Sequence, residues 1–200
     1  MKRPRIIGIT GGVGAGKTEC LRYIEESVHC LVIYADPEAA KLRRRGEACY
    51  EPLVELLGSG VLDADGEIDS GRMAERIFAD ESLLAAVNGI IHPAVNDRIR
   101  AMIDRERRER NFDFVFVEAA LLIENGYEAF VDEMWYIYAD ASVRRSRLKA
   151  TRGYSDEKID EIFAGQLSDE EFRAHCPVVI DNSGDMTETK KQIDLALRIG

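Results

Sequence analysis

An apolar, β-branched run, Arg5-Ile6-Ile7-Gly8-Ile9-Thr10, passes without a break into Gly11-Gly12-Val13-Gly14-Ala15-Gly16-Lys17-Thr18. The second segment fits G-x-x-x-x-G-K-[ST], and each residue type has a physical task there. Glycines lack a Cβ, so successive backbone N–H groups can turn inward around a phosphate while the helix that follows aims its positive end at the same point. Gly12, Val13, Gly14, Ala15 and Gly16 would supply that backbone cradle. Lys17 would neutralise the β- and γ-phosphates, and the Thr18 hydroxyl would hold Mg²⁺. An incidental glycine-rich turn needs neither the strand before it nor the amphipathic run Glu19 to Ser27 after it. The loop therefore predicts a strand-loop-helix unit that binds the phosphates of ATP or GTP.

Further strand-like runs recur at Cys30 to Tyr34, Phe112 to Ala119, Glu133 to Tyr138 and Pro177 to Ile180, with helical patterns between them. That alternation predicts an α/β fold, a three-layer P-loop NTPase type with a five-stranded parallel sheet covered on both faces by helices. Residues 1–36, 112–139 and 177–200 read as the nucleotide-binding core. The mostly helical stretch 37–111 is far longer than a βα crossover needs, so it reads as an insertion at the strand ends, where substrate specificity is built. A second insertion-like stretch, 140–176, carries Arg144, Arg145, Arg147 and Arg152, followed by a helical pattern from Asp156 to Leu167. The last helix, Met186 to Ile199, presents Ile193 and Leu197 on one face and reads as packing.

Charge excludes some functions. The chain has 37 acidic against 27 basic residues, a formal net charge of −10, and offers no general attraction to nucleic acid or anionic membrane. Phosphates must be recruited locally. Cys20, Cys30, Cys49 and Cys176 are dispersed without C-x-x-C or zinc-finger spacing, which predicts reduced thiols in a cytoplasmic protein. The apolar run after Met1-Lys2-Arg3-Pro4-Arg5 is too short for a signal segment, and no stretch approaches membrane-spanning length. The expected partners are small molecules, and the expected state is a monomer or weak homo-oligomer.

Asp36 ends Val32-Ile33-Tyr34-Ala35-Asp36 and precedes Pro37. A carboxylate at the C-terminal end of a parallel strand can accept a hydroxyl proton in phosphoryl transfer; the same pattern also suits a helix N-cap. Glu118 closes Phe112-Asp113-Phe114-Val115-Phe116-Val117-Glu118, where an acid can bind Mg²⁺ through water, and Glu124 follows shortly after; the alternative for either is a solvated surface acid. His92 in Ile91-His92-Pro93 reads on its own as a core or helix-boundary histidine. Arg43-Arg44-Arg45 is either a wet face or a contact for an anionic substrate. The run Arg105-Glu106-Arg107-Arg108-Glu109-Arg110 reads as a solvated helix end. The arginines from Arg144 to Arg152 have the character of a lid closing over a γ-phosphate, the alternative being an ordinary basic helix.

Taken in order, several segments resemble the dephospho-CoA kinase family over nearly the whole chain: Ile9 to Thr18, Val32 to Asp36, Arg76-Ile77-Phe78, Ile91-His92-Pro93, Leu121-Leu122-Ile123-Glu124, Gln166, and Val179-Ile180-Asp181-Asn182-Ser183-Gly184. The resemblance implies transfer of the ATP γ-phosphoryl group, with Mg²⁺, to the ribose 3′-hydroxyl of dephospho-CoA, the final step of coenzyme A biosynthesis. It implies Asp36 as base, Lys17 and Arg147 acting on the phosphoryl group, and Arg152 and Asn182 on ATP. It assigns Arg76, His92, Leu121 and Glu124 to the acceptor, Thr18 and Glu118 to the metal, 37–111 to CoA binding and 140–176 to the lid. This chain departs from the family's Asp-Ala-Asp at Tyr34 and from its Pro-Leu-Leu at Ala120. The rival enzyme reading is another P-loop kinase acting on a small molecule or a nucleoside monophosphate. A phosphate acceptor would need no carboxylate base, so Asp36 favours a hydroxyl. A GTPase-type switch lacks any N-K-x-D guanine-reading motif here.

Overall fold

The computed structural model describes residues 2–198; Met1, Gly200 and the expected helix end at Ile199 lie outside the described residues. Five strands form one sheet: β1 (Arg5–Thr10), β2 (Cys30–Tyr34), β3 (Phe114–Glu118), β4 (Glu133–Tyr138) and β5 (Val178–Asp181), in the order β2-β3-β1-β4-β5. β1 runs parallel to β3, opposing Ile9 to Glu118, and parallel to β4, opposing Thr10 to Tyr136; β4 runs parallel to β5. Sequence character follows position in the sheet. The central strands read RIIGIT, FVFVE and EMWYIY and are buried over nearly their whole length, as strands covered on both faces must be. The edge strands β2 and β5 are only partly buried. Phe116 and Trp135 meet edge-on across the core at 5.9 Å, and Tyr136 stacks on Phe172 at 4.6 Å.

The helices are α1 (Lys17–Ser27), α2 (Ala35–Leu42), α3 (Tyr50–Leu57), α4 (Ser70–Phe78), α5 (Glu81–Glu109), α6 (Ala141–Arg152), α7 (Asp156–Ala164), α8 (Asp169–His175) and α9 (Met186–Arg198). Their starts follow local chemistry. The Asp69 carboxylate accepts from Arg72 N at the head of α4, Ser155 accepts from Lys158 N before α7, and Ser168 and Glu171 form a reciprocal capping box before α8. Asp156 to Leu167 is therefore not one helix: α7 stops at Ala164 with Gly165 as its C-cap. Among the described residues no helix is long and apolar enough to cross a membrane. All four cysteines are unpaired; burial pushes the Cys20 and Cys176 thiols up to about 12, which keeps them protonated and unreactive.

The chain divides into two compact units, Met1–Ile33 with Glu106–Gly200, and Tyr34–Arg105. Within the second unit Leu42, Leu53, Leu57, Met73, Val87, Val95 and Ile99 are buried. The side chain of Glu38, also buried, ties α2 to α5 by accepting from Lys41 Nζ at 2.6 Å and Arg98 Nε at 2.7 Å, and Arg98 also reaches Glu47 at 3.1 Å. Burial alone would raise the Glu38 pKa. The hydrogen bonds and charges of Lys41 and Arg98 outweigh it and hold the carboxyl below its ordinary 4.5. A depressed carboxyl stabilises the fold above its unfolded value, and that stabilisation is lost as pH falls through the folded value. Glu38→Gln should therefore cost about 1–3 kcal/mol near neutrality. In urea unfolding at about pH 7 and about pH 3, the gap from wild type should close at the lower pH; a gap that stays open would show that charge is not what Glu38 contributes.

Three expectations are corrected here. His92 is not at a helix boundary, because α5 runs on through Pro93. The helical bond Pro93 cannot donate would run to the Gly89 carbonyl, and Gly89 is exposed, so water can satisfy that carbonyl. The run Arg105 to Arg110 is not simply solvated. Glu106 is buried and accepts from Phe112 N at 2.9 Å and Asn111 Nδ2 at 3.3 Å, while Arg107 donates to Phe130 O at 3.1 Å. These bonds, with Arg110 in the left-handed region at φ 56°, turn the chain out of α5 toward β3. Finally, β2 stops at Tyr34 and α2 begins at Ala35, so Asp36 lies in a helical first turn and not at a strand end. Nor is it the N-cap, which is Tyr34 and makes no side-chain capping bond.

Candidate functional site

The loop between β1 and α1 is built to leave donors open. Gly16 caps α1 in the left-handed conformation, φ 91°, with no side chain accepting from the first-turn N–H groups. A Cβ there would be strained by that φ and would collide with Asn182 Nδ2. At Gly12 the approach is equally close: a Cβ would strike the Arg144 guanidinium. Lys17, the first residue of α1, folds its Nζ back to the Gly11 carbonyl at 2.7 Å and stands 3.7 Å from Glu118 Oε1. Both side chains are mostly shielded, at 14% and 18% exposure, so water screens their attraction only partly. Thr18 is exposed one residue further on.

α6 braces this loop from outside. Arg144 Nε donates to Val13 O at 2.9 Å, and Arg147 donates to Ala15 O at 3.2 Å and to Asn182 O at 2.8 Å. The amide of Asn182, itself buried, also donates to Ala15 O at 2.7 Å and accepts from Thr189 Oγ1 at 3.0 Å. Because a trans peptide sets C=O and the following N–H on opposite sides, holding the Val13 and Ala15 carbonyls turns the Gly14 and Gly16 N–H groups away from α6. Gln166 Oε1 accepts from the other end of the Arg144 guanidinium and from Val13 N at 3.4 Å. Phe163 lies 4.2 Å from the Arg144 guanidinium carbon. Burial lowers the Arg144 pKa from its ordinary 12.5, yet a guanidinium remains charged at neutral pH.

The expected residues thus fall into groups. Gly12 to Thr18, Glu118, Arg147 and Asn182 come together in one unit around the loop. Arg152, at the last turn of α6, lies 5.9 Å from the Tyr154 ring. Leu121, 43% exposed, and exposed Glu124 follow β3 in that same unit. Asp36, Arg76 and His92 belong to the Tyr34–Arg105 unit. Asp36 and Arg76 are exposed, His92 is half-buried, and Asp36 makes no hydrogen bond or ion pair with any described residue. Sequence reading did not give Arg144 a specific role. Its signal was the three-residue spacing to Arg147, which puts both on one helix face.

Comparison with known proteins adds a second line of observation. A family model described as dephospho-CoA kinase matches residues 5–188. The chain is similar to a dephospho-CoA kinase of Symbiobacterium thermophilum, 34% identical over 97% of this chain and 80% of that relative. Another dephospho-CoA kinase, from Streptococcus pyogenes serotype M3, is 33% identical over 96% of both chains. Among solved structures, a dephospho-CoA kinase from Campylobacter jejuni superimposes with a TM-score of 0.73 over 96% of this chain and 95% of its own, at 21% identity, a likeness of fold.

Proposed function

The chain belongs to the dephospho-CoA kinase family, and from that premise we propose how its own residues divide the work. The enzyme phosphorylates dephospho-CoA to CoA with ATP as co-substrate, the last step of coenzyme A biosynthesis. The braced loop supports the donor assignment: Gly12 to Thr18 receive the ATP phosphates on backbone N–H groups, and Lys17 exchanges Gly11 O for a phosphate oxygen. Arg144 and Arg147 hold the loop in shape from behind, and Arg147 is also assigned to the transferring group once segment 140–176 closes. Asn182 positions the loop on the adenosine side, and Arg152 contacts ATP once segment 140–176 closes as a lid.

Mg²⁺ fits the donors present. Among the described residues no group of three or more His, Cys, Asp or Glu forms a protein cage, and a hydroxyl at Thr18 with one carboxylate at Glu118 is the set this ion accepts when phosphates complete its shell. Held there, it would offset charge developing on the phosphoryl oxygens. Asp36 orients the ribose 3′-hydroxyl and takes its proton late, since a loose transition state needs little help from a base. Residues 37–111 bind the acceptor, and Arg76, His92, Leu121 and Glu124 are the side chains assigned to it. The enzyme works in the cytoplasm as a monomer or weak homo-oligomer.

ADP release measured in parallel with dephospho-CoA, AMP, dTMP and no acceptor tests the reading. Stimulation by dephospho-CoA alone is the expected result. Equal stimulation by AMP or dTMP would reassign the enzyme to the nucleoside monophosphate kinases, and GTP hydrolysis without any acceptor would make it a switch.

A further inference from the structure

We infer that the cavity beside the C-terminal end of α2 is the seat of the acceptor's diphosphate, gripped by Arg43 and Arg44. The cavity has a volume of about 430 Å³ and is lined by Ala40, Arg43, Arg44, Glu67, Ile68 and Ser70, all within the Tyr34–Arg105 unit. This assignment rests on Asp36 receiving the 3′-hydroxyl, and it extends that reading along the same helix.

Two observations carry it. The first concerns an unused donor. Arg43 Nε is buried and has no hydrogen-bond partner among the described residues, where the guanidinium's one bond is a weak one from its Nη1 to Met73 Sδ at 3.9 Å. A buried guanidinium N–H without an acceptor is costly, so the Arg43 side chain gains by turning its head onto an anion in the cavity it lines. Beside it the exposed Arg44 side chain makes no bond to any described residue. The one carboxylate in the lining, Glu67, already accepts from Arg45 N at 3.0 Å. Two guanidinium groups against one engaged carboxylate leave the cavity positive in a chain that is strongly negative overall.

The second observation is spacing. Asp36, Ala40 and Arg43 stand at i, i+4 and i+7 of α2 and its C-cap, where Arg43 keeps right-handed helical geometry, so they share one face. Seven residues of helix rise about 10 Å. In dephospho-CoA the diphosphate is joined to the 5′ carbon of the same ribose that presents the 3′-hydroxyl, so hydroxyl and diphosphate are separated by one sugar and a methylene. The reach of two arginine side chains closes the remainder. α2 thus acts as a ruler, with the reacting hydroxyl at one end and the charged bridge two turns along. A nucleoside without a 5′ diphosphate leaves the far end of the ruler empty.

Isothermal titration of the full chain with dephospho-CoA and, separately, with ATP tests the assignment in Arg43→Gln and Arg44→Gln. Arg43→Gln should weaken dephospho-CoA binding by about 10- to 100-fold and Arg44→Gln by about 3- to 10-fold, the loss expected for charge-assisted bonds that are buried and exposed respectively. ATP affinity should stay within a factor of about two. Phosphorylation of adenosine, which offers the same hydroxyl with no diphosphate, should be equally slow in wild type and both variants. Unchanged dephospho-CoA affinity in both variants overturns the inference, as does a parallel loss for ATP or adenosine, which would mean that the arginines only shape the fold. Arg44 is exposed, so its variant remains informative even where Arg43→Gln unfolds. Wild-type protein that binds ATP but not dephospho-CoA would overturn the proposed function, and this inference with it.

Discussion

Replacing Lys17 by Met should lower kcat/KM for ATP by about 10³-fold or more, roughly 4 kcal/mol of transition-state stabilisation. The substitution keeps an unbranched chain of similar length and removes the ammonium group, both its charge and its hydrogen-bond donors. Lys17 stands with Glu118 in a site where both are largely shielded from water, so its charge acts on the phosphoryl oxygens through a medium less screening than solvent. The structural cost should be small by comparison. The bond from Nζ to Gly11 O is part-buried and worth about 1 kcal/mol, and the ion pair with Glu118, at 3.7 Å, is a loose one. Thermal unfolding should therefore shift by a few degrees while turnover collapses. Activity within about tenfold of wild type would remove Lys17 from the chemistry.

Asp36→Asn is the second large effect, about 10² to 10⁴ in kcat with ATP affinity nearly intact. The side chain is exposed and bonds to no described residue, so no packing or hydrogen bond is lost with its charge. What remains is the favourable placement of an anion in the first turn of α2, worth about 0.3–1 kcal/mol. A large fall in kcat beside a nearly unchanged melting temperature would therefore isolate a chemical role. Full activity in the variant would show that the hydroxyl is oriented by something else.

The donor half of the site was legible because its signal is local. A strand, four glycines and Lys17-Thr18 lie in one continuous stretch, and both the loop geometry and the start of α1 follow from those residues alone. The central strands were legible for a similar reason: a run such as Phe114 to Val117 has no polar face to expose. Features that depend on tertiary neighbours were not. Glu106 looks like any acid in a charged helix end until Phe112 N and the Asn111 side chain arrive to be capped. His92 beside Pro93 reads as a possible helix-boundary residue until α5 is seen to run on through both. Asp36 was assigned to a strand end because Ala35-Asp36-Pro37 can equally end a strand or open a helix, and the sheet hydrogen bonds that decide it come from β3. Arg144, Arg147 and Arg152 are equivalent in composition; only the approach of the loop carbonyls to α6 singles out the two that brace it.

The bracing has a consequence for how variants of the loop should be interpreted. The space a side chain would need at Gly11 is occupied by the Ile137 carbonyl, and at Gly16 by Asn182, so both positions are committed to interior packing before any nucleotide arrives. A saturation scan scored only by growth or turnover would record these glycines as indispensable and credit them to ligand recognition. Scored for soluble yield as well, the same variants should fail at assembly, whereas substitutions at Thr18, which faces solvent, should yield well-folded but inactive protein. Intolerance to change within this motif is thus two different phenotypes lying side by side in the chain.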